Sequence, residues 1–384
     1  MNYFLTEEQQ EIKELAAEIA DDRVVAIREH HDETGEFPWD IMKLLAQSDL
    51  FGVWLPEEYG GLGGGVFDLC LVTEQLSRAC GGVAVTYAGS ALGAIPILLA
   101  GSDEQKQKYL PDIASGAKLA AFGLTEANAG SDAGNMRTTA VRDGDDYIIN
   151  GTKQWITNGG EAEVYTVIAI TNPEKGPRGS TAFIVDKDTP GFTFGKKENK
   201  LGIRTSATRE LVFQDCRVPA ANVLKREGYG FVVALQTLDR SRPGVAAQAL
   251  GIAQGAMEAS VKYAHEREQF GQKIAEFQAV GHMLADMAIE IEASRALIYA
   301  VARAIDDDPT MKDTPMMSAM TKCFASDVAM KVTTNAVQVF GGYGYMKEYP
   351  VEKMMRDAKI TQIYEGTNQV QRNVIAAGLT KTIR

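Results

Sequence analysis

Tyr147-Ile148-Ile149-Asn150-Gly151-Thr152-Lys153-Gln154-Trp155-Ile156-Thr157 sits near the middle of the chain. Two β-branched and aromatic runs flank an Asn-Gly pair, the pattern of a hairpin with a two-residue turn. Further strands are expected at residues 164–171, 181–186 and 210–213, so residues from about 120 to 228 read as a small antiparallel β domain. On the N-terminal side the period changes. Ile12, Leu15, Ala16 and Ile19, then Ile41, Leu44 and Leu45, then Leu69, Val72 and Leu76 recur at helical spacing. On the C-terminal side that spacing returns over 231–264, 276–304 and 314–339, with a kink or late start expected at Pro243. Helix, sheet, helix is an α+β order. It does not match the βαβ alternation of a Rossmann domain.

The totals narrow the chemistry. The chain has 384 residues, 45% hydrophobic and 23% charged, a globular composition with room for two or three cores. A net charge of −12, with basic residues interleaved among acids, argues against nucleic-acid binding. Cys70, Cys80, Cys216 and Cys323 have no C-x-x-C spacing, and His30, His31, His265 and His282 form no metal-ligand pattern. A redox cofactor, if used, is therefore expected to be organic. The start, Met1-Asn2-Tyr3-Phe4-Leu5 followed by the capping box Thr6-Glu7-Glu8-Gln9, reads as a mature cytosolic terminus. No run of about 18 uninterrupted apolar residues suggests a membrane span.

Several motifs carry two readings each. Gly60-Gly61-Leu62-Gly63-Gly64-Gly65 follows Pro56-Glu57-Glu58 rather than a strand and lacks a Lys-Ser/Thr ending, so it is expected to be a turn and not a phosphate loop. Phe340-Gly341-Gly342-Tyr343-Gly344-Tyr345 is either a close backbone approach to a ligand or a helix C-cap. Phe122 to Asp132 is rich in hydroxyls and free backbone donors, suited to a heterocycle edge or a pyrophosphate. Trp155 and Thr157 share a face if the segment is a strand, where they could serve a flavin ring or simply pack. In Ile363-Tyr364-Glu365-Gly366-Thr367, the apolar neighbours would raise the Glu365 pKa and make it a base near neutrality, or the residue is merely stabilised at a helix N-terminus.

Taken together, residues 122–132, 155–160, 238–251, 267–271, 338–344 and 356–371 resemble the acyl-CoA dehydrogenase family, and the likeness runs from Leu5 to Ala377. The resemblance implies an N-terminal helical domain (1–118), a middle antiparallel β-barrel or sandwich (119–228) and a C-terminal four-helix-bundle domain (229–384), assembled as a homotetramer. It implies FAD as cofactor, an acyl-CoA substrate and an electron-transfer flavoprotein as partner. Glu365 takes the position of the catalytic base. Phe122, Leu124, Thr125, Gly130, Ser131, Trp155 and Thr157 match positions around the flavin and pyrophosphate, with Thr367 and Gln369 as further FAD contacts. Arg267, Gln269, Phe270, Gln338, Gly341 and Gly342 match positions that hold the adenosine end of an FAD bound mainly by a neighbouring subunit. Ser131, Asp239, Arg242, Tyr364 and Gly366 match the substrate side. Some members place the base near 241, but Ser241 cannot serve. Gly82 to Tyr87 contains no cation, so a free distal carboxylate on the substrate is not expected. Ala84, Ala88 and Gly89 leave room for a short to medium acyl chain, which Tyr87 could shorten. Ala127 replaces the proline most members carry. The implied activity is α,β-dehydrogenation. The alternatives are the reverse enoyl-CoA reduction, an oxidase or flavin monooxygenase of the same fold, and a non-catalytic binding subunit.

Overall fold

The computed structural model describes residues 3–382; Met1 and Asn2, the start of the expected mature terminus, lie outside them. Helices α1 (Glu7–Ile19), α2 (Val25–Thr34), α3 (Trp39–Gln47), α4 (Val66–Ala79), α5 (Gly81–Ala100) and α6 (Asp103–Ala114) form the first layer. Thr6 and Gln9 close the expected capping box on α1. The glycine-rich segment is a turn. A Cβ on Gly61 or Gly64 would stand 2.0 or 2.2 Å from the carbonyls of Leu55 or Val53, so glycine is required there by close approach.

Strands β1 (Ala120–Gly123), β2 (Thr139–Asp143), β3 (Asp146–Thr157), β4 (Val164–Ile170), β5 (Ser180–Asp186), β6 (Phe192–Phe194) and β7 (Thr208–Pro219) form one sheet in the order β1-β4-β2-β3-β7-β6, with β5 on β4. Its pairing is mixed rather than purely antiparallel, because β1 and one end of β2 run parallel to β4. The expected hairpin at Asn150-Gly151 does not form. Both runs belong to β3, and the turn lies earlier, at Gly144-Asp145, with Asp143 opposite Asp146 and Gly144 left-handed at φ 61°. Asn150-Gly151 instead faces a bulge in β7. Asn150 Oδ1 accepts from the Asp215 amide at 2.8 Å, and Asp215 carries the positive φ of 48°. Gly151 has φ 142°, and a Cβ there would come within 2.7 Å of Thr138 Cα.

The rest comprises α7 (Gly230–Glu266), the short ribbon β8 (Glu268–Gln269) and β9 (Gln272–Lys273), α8 (Gln278–Asp307), α9 (Thr314–Phe340), α10 (Pro350–Thr361) and α11 (Asn368–Thr382). Helix α7 starts well before Pro243 and continues through it. Proline removes the amide that would bond the Asp239 carbonyl; that carbonyl accepts the Ser318 hydroxyl of α9 at 2.6 Å instead. Where α7 crosses α4 the backbones nearly touch: a Cβ on Gly251 would lie 2.2 Å from the Glu74 carbonyl, and one on Gly255 would lie 2.1 Å from that of Arg78. Helix α5, with a mean hydropathy of 1.8, is long and apolar enough to cross a bilayer by composition. It is a core helix, covered by α4, β1 and α7.

Candidate active site

Strand β3 delivers Trp155 through a second bulge. Lys153 pairs with Leu211 and Ile156 with Arg209, so β3 carries one extra residue, and Trp155 takes a left-handed φ of 58°. The alternation expected of a plain strand is broken. Trp155 turns out, 55% exposed, while Lys153 and Ile156 remain buried. Trp155 and Thr157 nevertheless line a cavity of about 500 Å³ together with Phe122, Leu124, Thr125, Gly130 and Ser131. From the helical side the cavity receives Ser241, Arg242, Tyr364, Glu365 and Gly366. Leu69, Val85, Ala88, Gly89, Leu92, Ile95 and the face of α7 around Leu235 and Leu238 make most of the remainder apolar, with Asp132 and Gln248 among the polar exceptions. Arg242 is the cation among the residues lining this cavity. Tyr87 points elsewhere: it is buried against Phe51, its hydroxyl on the Leu50 carbonyl at 2.8 Å, and it does not shorten the cavity.

A second cleft, of about 600 Å³, shares Thr125, Gly130, Ser131, Trp155, Thr157 and the 364–366 segment with the first, and extends over Lys200, Leu201, Ile203 and Thr367. Its wall is tied to α10. Asp357 Oδ1 accepts from the Ile203 amide at 2.6 Å, and Arg356 donates to the Leu201 carbonyl at 3.0 Å. Among the described residues, the hydroxyls of Thr125, Ser131 and Thr157 have no protein partner, and a Cβ on Gly130 would meet nothing. Free donors around an aromatic plane fit the edge of a polar, planar heterocycle such as a flavin.

The Leu124 loop is braced from below. Lys153, fully buried, donates to the Leu124 carbonyl at 3.1 Å and to Glu126 at 2.7 Å; Glu126 also accepts from the amides of Arg137 and Thr138. Burial pulls the Lys153 ammonium down to about 8, against the opposing attraction of Glu126.

Glu365 is left-handed, φ 51°, followed by Gly366 at φ 90°. It is reached only in part by solvent, from the cavities it lines, and is otherwise surrounded by protein. Desolvation therefore raises its pKa, moderated by the Ser241 hydroxyl on Oε2 and by the charges of Arg242 and Lys322. Its backbone is held from three sides. Gln371 Nε2 donates to the carbonyls of Glu365 and Gly366, both at 2.9 Å, Arg242 reaches the first at 3.5 Å, and Lys322 reaches the second at 2.8 Å. Tyr364 donates to Gln248. Asp239 does not line the cavity; it pairs with Arg242 at 2.9 Å.

The remaining expected positions gather elsewhere. Arg267, Gln269, Gly341 and Gly342 line a shallow site of about 430 Å³ at the β8–β9 ribbon and the end of α9, where the Arg267 guanidinium lies over Tyr343. Phe270 projects from the ribbon tip, 94% exposed, and Gln338 and Gln369 are also exposed. These positions do not meet the Glu365 cavity within one chain. Ser241, Gln248, Lys322 and Gln371 were not singled out as positive contributors from the sequence; their types carry no motif, and only packing brings them to Glu365.

A carboxylate of raised pKa and an aromatic-floored cleft open on one largely apolar cavity, an arrangement that fits a flavoenzyme. Residues 6–117, 121–216 and 228–380 match the profiles described as acyl-CoA dehydrogenase N-terminal, middle and C-terminal domains. The chain belongs to the acyl-CoA dehydrogenase family, FAD-dependent oxidoreductases. It is 48% identical over 378 residues to the short-chain specific acyl-CoA dehydrogenase of Clostridium acetobutylicum, covering 98% of this chain and 99% of that one. It is 46% identical over 384 residues to acryloyl-CoA reductase (NADH) of Anaerotignum propionicum, covering 99% and 96%. Butyryl-CoA dehydrogenase from Megasphaera elsdenii superposes with a TM-score of 0.95 at 46% identity, covering 99% and 100%. A chain from work on the electron transferring flavoprotein of Acidaminococcus fermentans gives 0.96 at 50%, covering 99% of each. An acyl-CoA dehydrogenase complexed with FAD from Bacillus anthracis gives 0.92 at 33%, covering 100% of this chain and 68% of that one.

Proposed function

We propose that the protein oxidises a short- to medium-chain acyl-CoA thioester to the trans-2-enoyl-CoA and passes the electrons to an electron-transfer flavoprotein. The observation that carries this reading is Glu365, a carboxylate of raised pKa at the junction of the apolar cavity and the cleft floored by Trp155. Glu365 removes the α proton of the thioester, for which a carboxylate poised above its ordinary range is suited. FAD held in that cleft would supply the acceptor for the β hydrogen, which leaves the substrate as hydride. Phe122, Leu124, Thr125, Gly130, Ser131, Trp155, Thr157, Thr367 and Gln369 hold its flavin and pyrophosphate, and the 267–270 and 338–342 positions serve the cofactor of an adjacent copy in a homotetramer. Ser131, Arg242, Tyr364 and Gly366 border the thioester, and Asp239 orients Arg242. Leu69, Val85, Ala88 and Leu92 exclude water, which strengthens the electrostatics at the reacting atoms. The division at 118/119 and 228/229 and a cytosolic location belong to the same reading.

The likeness to an acryloyl-CoA reductase favours one second reading, the same site run as an enoyl-CoA reductase. Anaerobic titration of the purified holoenzyme with saturated acyl-CoAs of increasing length, following the visible flavin band, tests the main reading: bleaching is expected with short chains. Failure of every saturated acyl-CoA to bleach it would overturn the dehydrogenase direction. Glu365→Gln should retain FAD and acyl-CoA binding while losing nearly all turnover; retained turnover would remove Glu365 from the role of base.

A further inference from the structure

Lys322, on α9, is fully buried, yet no carboxylate lies within ion-pair distance of it among the described residues. Its Nζ donates to the carbonyl of Gly366 at 2.8 Å and to Asn368 Oδ1 at 3.0 Å, both neutral acceptors. A buried ammonium without a counter-ion is unfavourable unless a charge nearby balances it. The surrounding charges leave one candidate. Asp327, also on α9, is engaged by Arg372 at 2.7 Å and by the side-chain amides of Gln362 and Asn368. Arg242, from α7, has Asp239 at 2.9 Å. Cys323 is a thiol whose pKa burial pushes up, so it is neutral near pH 7. Tyr364 is likewise kept neutral by burial. Glu365 is the unpaired acid.

We propose that Lys322 is a positioning residue for the base: its ammonium clamps the carbonyl of Gly366, fixing the left-handed Glu365–Gly366 turn, and supplies the uncompensated positive charge against which Glu365 ionises. This rests on the assignment of Glu365 as base. The electrostatics agree with the geometry. Burial lowers the Lys322 ammonium to about 8, and the attraction of Glu365 is the largest influence opposing that fall. Arg242 also favours the Glu365 carboxylate, and more strongly than Lys322 does, but it is itself paired with Asp239 and it repels Lys322. Removing the Lys322 charge would leave the partly desolvated Glu365 with only the Asp239-paired Arg242 as a cation, and its proton would be held to higher pH.

The test is the pH dependence of flavin reduction by a bleaching acyl-CoA in the FAD-loaded parent, Lys322→Arg, Lys322→Gln and Lys322→Met. Lys322→Gln keeps a donor for Gly366 without the charge. The midpoint is expected to move alkaline by about one unit or more in Lys322→Gln and Lys322→Met, the usual effect of a close opposite charge, and to remain near the parent's in Lys322→Arg. Unchanged midpoints in both neutral variants would overturn the proposal. A second measurement needs no cofactor and no turnover: thermal unfolding of the apoproteins at neutral pH in a cycle with Glu365→Gln. The gain from Glu365→Gln is expected to be larger in the Lys322→Met background than in the parent, and equal gains would overturn the coupling. If no acyl-CoA reduces the parent, the functional reading fails while this cycle still decides the pairing of Lys322 with Glu365.

Discussion

At the residue scale, the desolvation that raises the Glu365 pKa, and on which its proposed role as base rests, works against the stability of the fold. Its carboxyl is held above its ordinary 4.5, so folding favours the protonated form, and the stability it contributes falls as pH rises from that value through the raised one. The Glu365→Gln apoprotein should therefore melt above the parent at neutral pH, with the gap closing in acid below the ordinary carboxylate range; a pH series of unfolding midpoints checks both limbs. The buried Lys153–Glu126 pair behaves differently. Lys153→Met leaves Glu126 buried with only the amides of Arg137 and Thr138, and should cost roughly 3–5 kcal/mol, the range for breaking a buried pair. A lowered unfolding midpoint with early FAD release is the expected reading, partly recovered by adding Glu126→Gln. The placement of Glu365 and Trp155 on the cavity was legible because an ionisable or aromatic residue inside a distinctive motif announces itself. Lys322, Ser241 and Gln371 were not, since a lysine or serine in a helix pattern is ordinary until α7, α9 and α11 converge. Tyr87 shows the opposite error: proximity in sequence to the small residues of α5 said nothing about which way its ring points.

At the element scale, the helical spans were readable from period alone, and α8 and α9 fall within a few residues of their expected bounds. The Asn150-Gly151 reading failed because the same dipeptide suits two situations: a tight turn, and a strand position where a neighbour comes too close for a side chain. Only the partner strand, with its extra residue at Asp215, distinguishes them. Pro243 misled for a related reason. Its effect on α7 depends on whether another group takes the orphaned Asp239 carbonyl, and Ser318 does so from α9. Because Ser241 and Arg242 ride on α7, its seating on α4 matters to the site. Gly251→Ala should force the two helices apart, costing about 1–3 kcal/mol as overpacking does and lowering turnover in proportion as Arg242 shifts. Thermal unfolding and steady-state rates on the same preparation test this; unchanged stability would show that the crossing can relax.

At the scale of the whole molecule, the cleft around Trp155 and the shallow ribbon site around Arg267 lie apart in one chain, and the proposed function makes them complementary parts of a cofactor site shared between copies. Phe270→Asp should weaken assembly and release FAD on dilution, which sedimentation velocity monitored at the flavin band would detect as colourless small species. Retention of FAD by a dissociated form would show that one chain suffices. The three-part order was legible because the strand pattern interrupts the helical period that the outer parts share, whereas the junction between parts was not, since it is built from single contacts such as Asp357 on the Ile203 amide. Helix α5 has a consequence for biosynthesis. Helix α4 and strand β1 cover part of its apolar surface, but α7, which covers the rest, leaves the ribosome only after the entire β domain has been made. For that interval the nascent chain displays a twenty-residue helix that composition alone cannot distinguish from a membrane anchor. The face of α5 that awaits α7 is therefore apolar surface buried late in the order of synthesis.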